Sequence, residues 1–196
     1  MNLTHHFLIA MPEVTNTIFA GSVVYVCEHN PNGALGFIIN KPADVLLQDL
    51  FDNMALPLER AELSSRMVFQ GGPMATERGF VLHDAMRAIA GADDAHDHSA
   101  YVNTMPLTGG LDLTTSRDIL EAVALGVGPQ RLLVALGCSC WGEHQLEAEI
   151  ASNTWLTVQA DPSVIFESTV EDRYNHALAL LGLQDAWMLS PTVGHA

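Results

Sequence analysis

Positive charge is the scarcest thing in this chain. Its 196 residues hold eight lysines and arginines against 23 aspartates and glutamates, a formal net charge of −15, and Lys41 is the single lysine. Nucleic-acid binding draws much of its affinity from neutralised phosphates, so this balance argues against a DNA-binding surface. Cysteine is scarce as well. Three cysteines, an odd number in a mid-sized chain, point to a reducing compartment and no disulfide framework. No apolar run approaches the roughly 18 residues that a membrane helix needs. The opening MNLTHHFLIAMPE lacks a basic n-region and has only a short apolar core, so it does not read as a secretory leader. Together these absences predict a cytoplasmic protein without membrane or direct nucleic-acid contact.

What is present is apolar and patterned. Hydrophobic residues make up 48% of the chain and charged ones 16%, which predicts a packed core within one domain over residues 1–196. Short strands are expected at His6–Met11, Ser22–His29 and Ala34–Asn40, the last two joined as a hairpin by Asn30-Pro31-Asn32-Gly33. Helical spacing of Val45, Leu46, Leu47, Leu50, Phe51 and Met54 predicts a helix capped by Asp44. Arg66–Gln70 and Gly79–His83 read as strands joined through Gly71-Gly72-Pro73. The polar, acidic stretch near 84–99 reads as a loop. Ala100–Met105 and Leu107–Leu113 read as a strand pair around Pro106.

From there the pattern alternates. Thr115-Ser116-Arg117-Asp118 resembles a capping box ahead of Ile119, Val123 and Val127, with Gly126 and Gly128-Pro129 ending the helix. Arg131–Gly137 is a continuous apolar strand, Glu143–Ala151 a helix, Trp155–Gln159 a strand, and Thr169–Leu181 a last helix stopped by Gly182. The expected fold class is α/β (α+β). It has a mixed sheet with peripheral helices, a hairpin-rich N-terminal half and a βαβαβ-like C-terminal half with locally parallel pairing.

The segments LIAMP (8–12), SVVYVCEH followed by GALGFIINKP, QGGP (70–73), RGFVLH (78–83), LTTSRDIL, GPQRLLVALG and WGEHQLEAEIASNTWL occur in this order, with a terminal GHA. As a set they resemble the YqgE/AlgH family of bacterial proteins over nearly the whole chain. The resemblance implies a compact α/β protein with a partly barrel-like mixed sheet. It brings a transcriptional-regulator label for some members, but no helix-turn-helix and no defined reaction. It also implies that Cys138, Ser139, Cys140 and His144 stand where the family usually has Tyr, Ala, Gly and Gly, so that none is a family-wide nucleophile.

Several constellations compete for a functional reading. Gly137-Cys138-Ser139-Cys140-Trp141 approaches the G-x-S-x-G nucleophile elbow, but ends in Trp where the motif needs Gly; a tight turn of small residues explains it more simply. Cys138 and Cys140, placed in a turn before a helix, are redox candidates whose thiols a helix N-terminus would acidify. A metal would need further ligands such as Cys27, His29 or His144, and incidental cysteines are the commoner explanation. Asp93-Asp94-Ala95-His96-Asp97-His98 has a metal-binding composition, yet reads first as a solvated loop.

The ligand-binding candidates are Asn40, Gly71, Gly72, Pro73, Arg78, His83, Thr115 and Ser116. Paired glycines allow close approach to a ligand, a helix start offers N–H groups to an anion, and Arg78 supplies charge. Turns and caps doing local work account for the same residues about equally well. Neither a metal nor a cofactor is expected. The leading functional expectation is a non-enzymatic, regulatory binding module for a protein partner or small anionic ligand. A thiol-based redox sensor or enzyme, and a transcriptional regulator, are the alternatives.

Overall fold

The computed structural model describes residues 1–15, 17–86 and 99–183. Ten strands form one curled, half-barrel sheet: β1 (His6–Ala10), β2 (Val23–Asn30), β3 (Gly33–Ile38), β4 (Pro42–Leu46), β5 (Met67–Gln70), β6 (Met74–Asp84), β7 (Thr104–Pro106), β8 (Leu111–Thr114), β9 (Leu132–Trp141) and β10 (Trp155–Gln159). Among the described residues five α-helices pack around it: α1 (Leu47–Asn53), α2 (Asp118–Ala124), α3 (Gln145–Ala151), α4 (Pro162–Phe166) and α5 (Arg173–Ala179). Along the main path the order is β10-β1-β2-β3-β9-β6-β8-β7.

The N-terminal half follows the hairpin pattern of the sequence. β-branched and aromatic residues of β2 pair antiparallel with β1 and β3, and Gly33 closes the turn where an added Cβ would lie 2.1 Å from the Trp141 carbonyl oxygen. The C-terminal half keeps strand directions but changes neighbours. β8 and β9 both run antiparallel to β6, which lies between them, and β10 pairs with β1 at the far edge. Hence β8, β9 and β10 point the same way without touching. Direct parallel pairing among the described residues is between β5 and β9.

Several local expectations need correction. Val45 and Leu46 belong to β4, and α1 starts one residue later, with the Asp49 carboxylate accepting the Leu46 N–H in place of a cap from Asp44. β5 and β6, joined through Gly71-Gly72-Pro73 as expected, lie on either side of β9. The last helix is shortened to α5 and is preceded by an unexpected α4, which Asp161 caps by accepting the Ser163 N–H at 2.9 Å, with Pro162 at its first position. Val127 lies beyond α2 and is exposed.

Apolar packing fixes the curl. Phe7, Tyr25, Phe37, Phe80 and Leu133 fill the concave side beneath α4 and α5, whose Val164, Ile165, Ala177 and Leu178 are buried against them. Such a side chain contributes about 1.5–3 kcal/mol when fully buried. On the convex side, Trp141, Trp155 and Leu146 of α3 form a second cluster, and α1 and α2 cover Val81 and Val134 in a third. No described helix is long and apolar enough to cross a membrane. The acidic, His-containing tract at 93–98 lies outside the described residues, as do Trp187 and the terminal GHA.

Candidate functional site

The cysteine segment is a strand. β9 runs on through Cys138, Ser139 and Cys140 to Trp141, and the turn falls at Gly142–His144, with His144 left-handed at φ 59°. Gly137, at φ 74°, bends the strand where a Cβ would lie 2.7 Å from the Gly72 carbonyl oxygen. Ser139 is fully buried and donates to the Gly71 carbonyl at 3.1 Å. It has neither the exposure nor the histidine that a nucleophile elbow requires.

The cysteines are also placed differently from the turn expected of them. Their Sγ atoms lie 3.5 Å apart on one face of the strand, Cys138 buried and Cys140 exposed. Burial, followed by the Cys140 contact, pushes the Cys138 thiol up to about 12 instead of lowering it. Cys27 is fully enclosed, and its thiol is raised by burial. His29 is bound to the Leu3 N–H and to Glu147. Among the described residues no group of three or more His, Cys, Asp or Glu side chains converges to hold a metal. Thiol reactivity should therefore be ordered. Iodoacetamide at mildly alkaline pH should label Cys140 at least about tenfold faster than Cys138 or Cys27, read by peptide mass mapping.

The eight ligand-binding candidates do not meet in one groove. Arg78 and Thr115 border one open depression beside Leu35, Phe80 and Met105. Arg78 is exposed by a bulge in β6 between Met74 and Gly79, and its guanidinium lies over the Phe80 ring at 5.5 Å. Asn40 is committed to a turn, accepting the Val23 N–H and donating to the Gly21 carbonyl. Gly71 and Gly72 lie against β9, where a Cβ on either would be 2.3 Å from backbone atoms; Pro73, beside them, is exposed. Ser116 donates to the Asp118 carboxylate, which also accepts the Val102 and Ile119 N–H groups. A carboxylate thus already sits where the sequence suggested an anion would bind.

His83 is buried, with Nε2 2.8 Å from the Thr114 hydroxyl and Nδ1 2.7 Å from the Asp84 carbonyl. Burial lowers its pKa below the ordinary 6.5, against smaller raising contributions from the Asp84 carbonyl and the Asp112 and Asp84 charges. Between the folded and unfolded values only the unfolded chain is protonated. This contribution to stability is therefore complete above about pH 6.5 and declines as pH falls through the folded value. Chemical denaturation should show stability falling from about pH 7.5 to about pH 5.5, with a shallower slope in His83→Gln. His5, also lowered by burial, accounts for a remaining slope of the same sign.

The strongest charge feature lies elsewhere, at a residue the sequence reading passed over. Arg173 opens α5 yet is only 7% exposed. Its Nη1 donates to the Ile39 carbonyl, its guanidinium carbon lies 4.7 Å from the Phe69 ring centre, and its buried Nε has no hydrogen-bond partner. No carboxylate forms an ion pair with it among the described residues. Burial, and then the charge of Arg66, push its pKa down to about 10, with Glu171 a weaker opposing influence. It therefore stays charged at neutral pH.

Arg173 borders a cavity of about 310 Å³ between the β4–β5 arm, the start of β9 and the α4–α5 segment. Leu47, Phe69, Leu133 and Ile165 form apolar wall, and Arg66 stands exposed at the edge. Two hydroxyls there have partners already: Ser168 with His176, and Thr169 with Asp172. A buried cation that also feels the repulsion of a second cation is costly unless an anion compensates it. The signal available in the sequence was Arg173 itself, one of seven arginines, but nothing in its spacing marks it as buried.

The strand order, the bent β9 and the α3 turn it feeds define a fold with known relatives. The AlgH-like family model matches residues 7–186, and the chain belongs to that family. A UPF0301 protein of Acidovorax sp. (strain JS42) is 60% identical over 196 residues, covering all of this chain and 96% of that protein. Another, from Polaromonas sp., is 57% identical with the same coverage. Among solved structures, the AlgH protein of Pseudomonas aeruginosa matches with a TM-score of 0.75 and 39% identity, over 100% of this chain and 97% of that one. A Corynebacterium diphtheriae protein matches with a TM-score of 0.68 at 18% identity, over 96% and 91%, which shows the shared fold alone.

Proposed function

We propose that this protein is a non-enzymatic, cytoplasmic binding module with a regulatory role, and that its ligand is a small anion held at the Arg173 cavity. One observation carries the reading: a guanidinium more than nine-tenths buried, without an ion-pair partner among the described residues, beside an apolar cavity. A cation needed only for folding would be expected to have a buried carboxylate beside it. Ligand sites of this kind are mostly apolar, with a few fixed polar groups. The test is a thermal-shift survey of small organic carboxylates and phosphate esters on the natural protein and on Arg173→Met. At least one anion should raise the melting temperature of the first and leave the second unmoved. Equal shifts in both, or none in either, would remove the proposal.

The Cys138–Cys140 pair supports a second reading, a thiol-based sensor, through its 3.5 Å sulfur separation. Peroxide should then convert the pair to a disulfide, two thiols and one peroxide giving the disulfide and two waters. Peptide masses that show Cys140 oxidised while Cys138 stays free would count against it. A regulator acting by direct DNA contact is the weakest reading, because the charge balance opposes it.

A further inference from the structure

Resting on the reading of the Arg173 cavity as a ligand site, we propose that its ligand is an amphipathic monocarboxylate: one carboxylate on Arg173, with a short apolar body lying against Phe69, Leu133 and Ile165. The charge balance selects a monoanion. One guanidinium is buried there, and Arg66 is exposed at the edge, where solvent screens it. A phosphate dianion would bring a second negative charge among apolar walls with no second buried cation to meet it. Geometry accommodates a carboxylate. Nη1 of Arg173 is occupied by the Ile39 carbonyl, and Nη2 makes no hydrogen bond among the described residues. A guanidinium edge suits the planar carboxylate group.

The walls select the rest of the molecule. Leu47, Phe69, Leu133, Val134 and Ile165 present no side-chain donor or acceptor, the Ser168 and Thr169 hydroxyls are engaged, and Ser65, the third hydroxyl of the lining, is exposed. A sugar or nucleoside would leave its own polar groups unpaired against them. Size sets an upper bound. A cavity of about 310 Å³ corresponds to about ten water volumes of ~30 Å³ each, which suits an acid such as octanoate and is too small for hexadecanoate.

The test is calorimetric titration of the full chain with octanoate, acetate, octanol, octyl phosphate and hexadecanoate, repeated on Arg173→Met and Arg173→Lys. Octanoate should bind at least about tenfold more tightly than acetate or octanol. It should lose at least about tenfold in affinity in Arg173→Met, and part of it in Arg173→Lys, which keeps the charge without the planar edge. Hexadecanoate should bind no more tightly than octanoate. Tighter binding of octyl phosphate, lost in Arg173→Met, would overturn the carboxylate while leaving the anion site standing. Absence of binding by every probe, or octanoate affinity unchanged in both variants, would overturn the carboxylate and the site together. If Arg173→Met fails to fold, Arg173→Lys carries the same decision.

Discussion

Gly72→Ala should cost about 3 kcal/mol or more and lower the melting temperature by roughly 10 °C, whereas Gly79→Ala should be neutral or slightly stabilising. The two glycines stand seven positions apart in one stretch of sequence, and what separates them is chiefly the packing. A Cβ on Gly72 would lie 2.3 Å from the carbonyl carbon and oxygen of Cys138 and 2.4 Å from the Ser139 nitrogen, all backbone atoms that cannot rotate away. Gly137, opposite, is itself bent at φ 74° with its Cβ direction closed by the Gly72 and Met74 carbonyls. A shift of β9 to relieve the clash would also break the Ser139 hydrogen bond to Gly71 and the pairing of β9 with β5. Gly79 has no atom within 4 Å of an added Cβ. Differential scanning calorimetry of the two variants measures the contrast. Equal melting temperatures would show that β9 and the Gly71-Gly72 segment are not packed this closely.

Glu149→Leu should cost about 3–5 kcal/mol, the other large effect. Both Trp141 and Trp155 are buried, and both indole N–H groups donate to the same Glu149 oxygen, at 2.9 and 2.8 Å. The edge-to-face contact of the two rings, with centroids 6.2 Å apart, depends on that shared acceptor. Each bond to a charged group contributes about 1.5–3 kcal/mol, and removing the acceptor leaves two donors without partners. Glu149→Gln keeps an amide oxygen and should lose about half as much. Urea midpoints would read the order Glu149, Gln, Leu. A Leu variant as stable as the natural chain would mean that the indoles find water instead.

The sequence was informative wherever a local rule sets the structure. The hairpin at Asn30–Gly33 follows from turn chemistry, and α3 and β10 from apolar spacing. The family pattern anticipated the partly barrel-like sheet. Neighbour choice was not legible in the same way. Periodicity describes Gly79–His83 and Arg131–Gly137 equally well as strands, but β9 lying between β5 and β6 depends on contacts distant in sequence.

The cysteine segment misled for a related reason. Gly137 signals a bend, and a bend before a helix reads as the end of a strand; here the Gly72 backbone packs into that bend and β9 continues to Trp141. Of the candidate binding residues, Arg78 and Thr115 do share a depression, while Asn40, His83 and Ser116 spend their polar atoms on turns, a strand pair and a cap. Arg173 stayed hidden because burial of a charged residue in a short helix leaves no trace in spacing. The buried orientation comes from α4 turning the chain back over Phe69.

The central claim is that Arg173 is retained for a ligand and not for the fold. Urea unfolding of ligand-free protein and of Arg173→Met tests it most directly. A buried, incompletely paired guanidinium exchanged for an apolar side chain of similar length should change stability by less than about 2 kcal/mol, in either direction, because relief from burying the charge offsets the lost Ile39 bond. A larger loss in the variant would make Arg173 a structural residue and contradict the account.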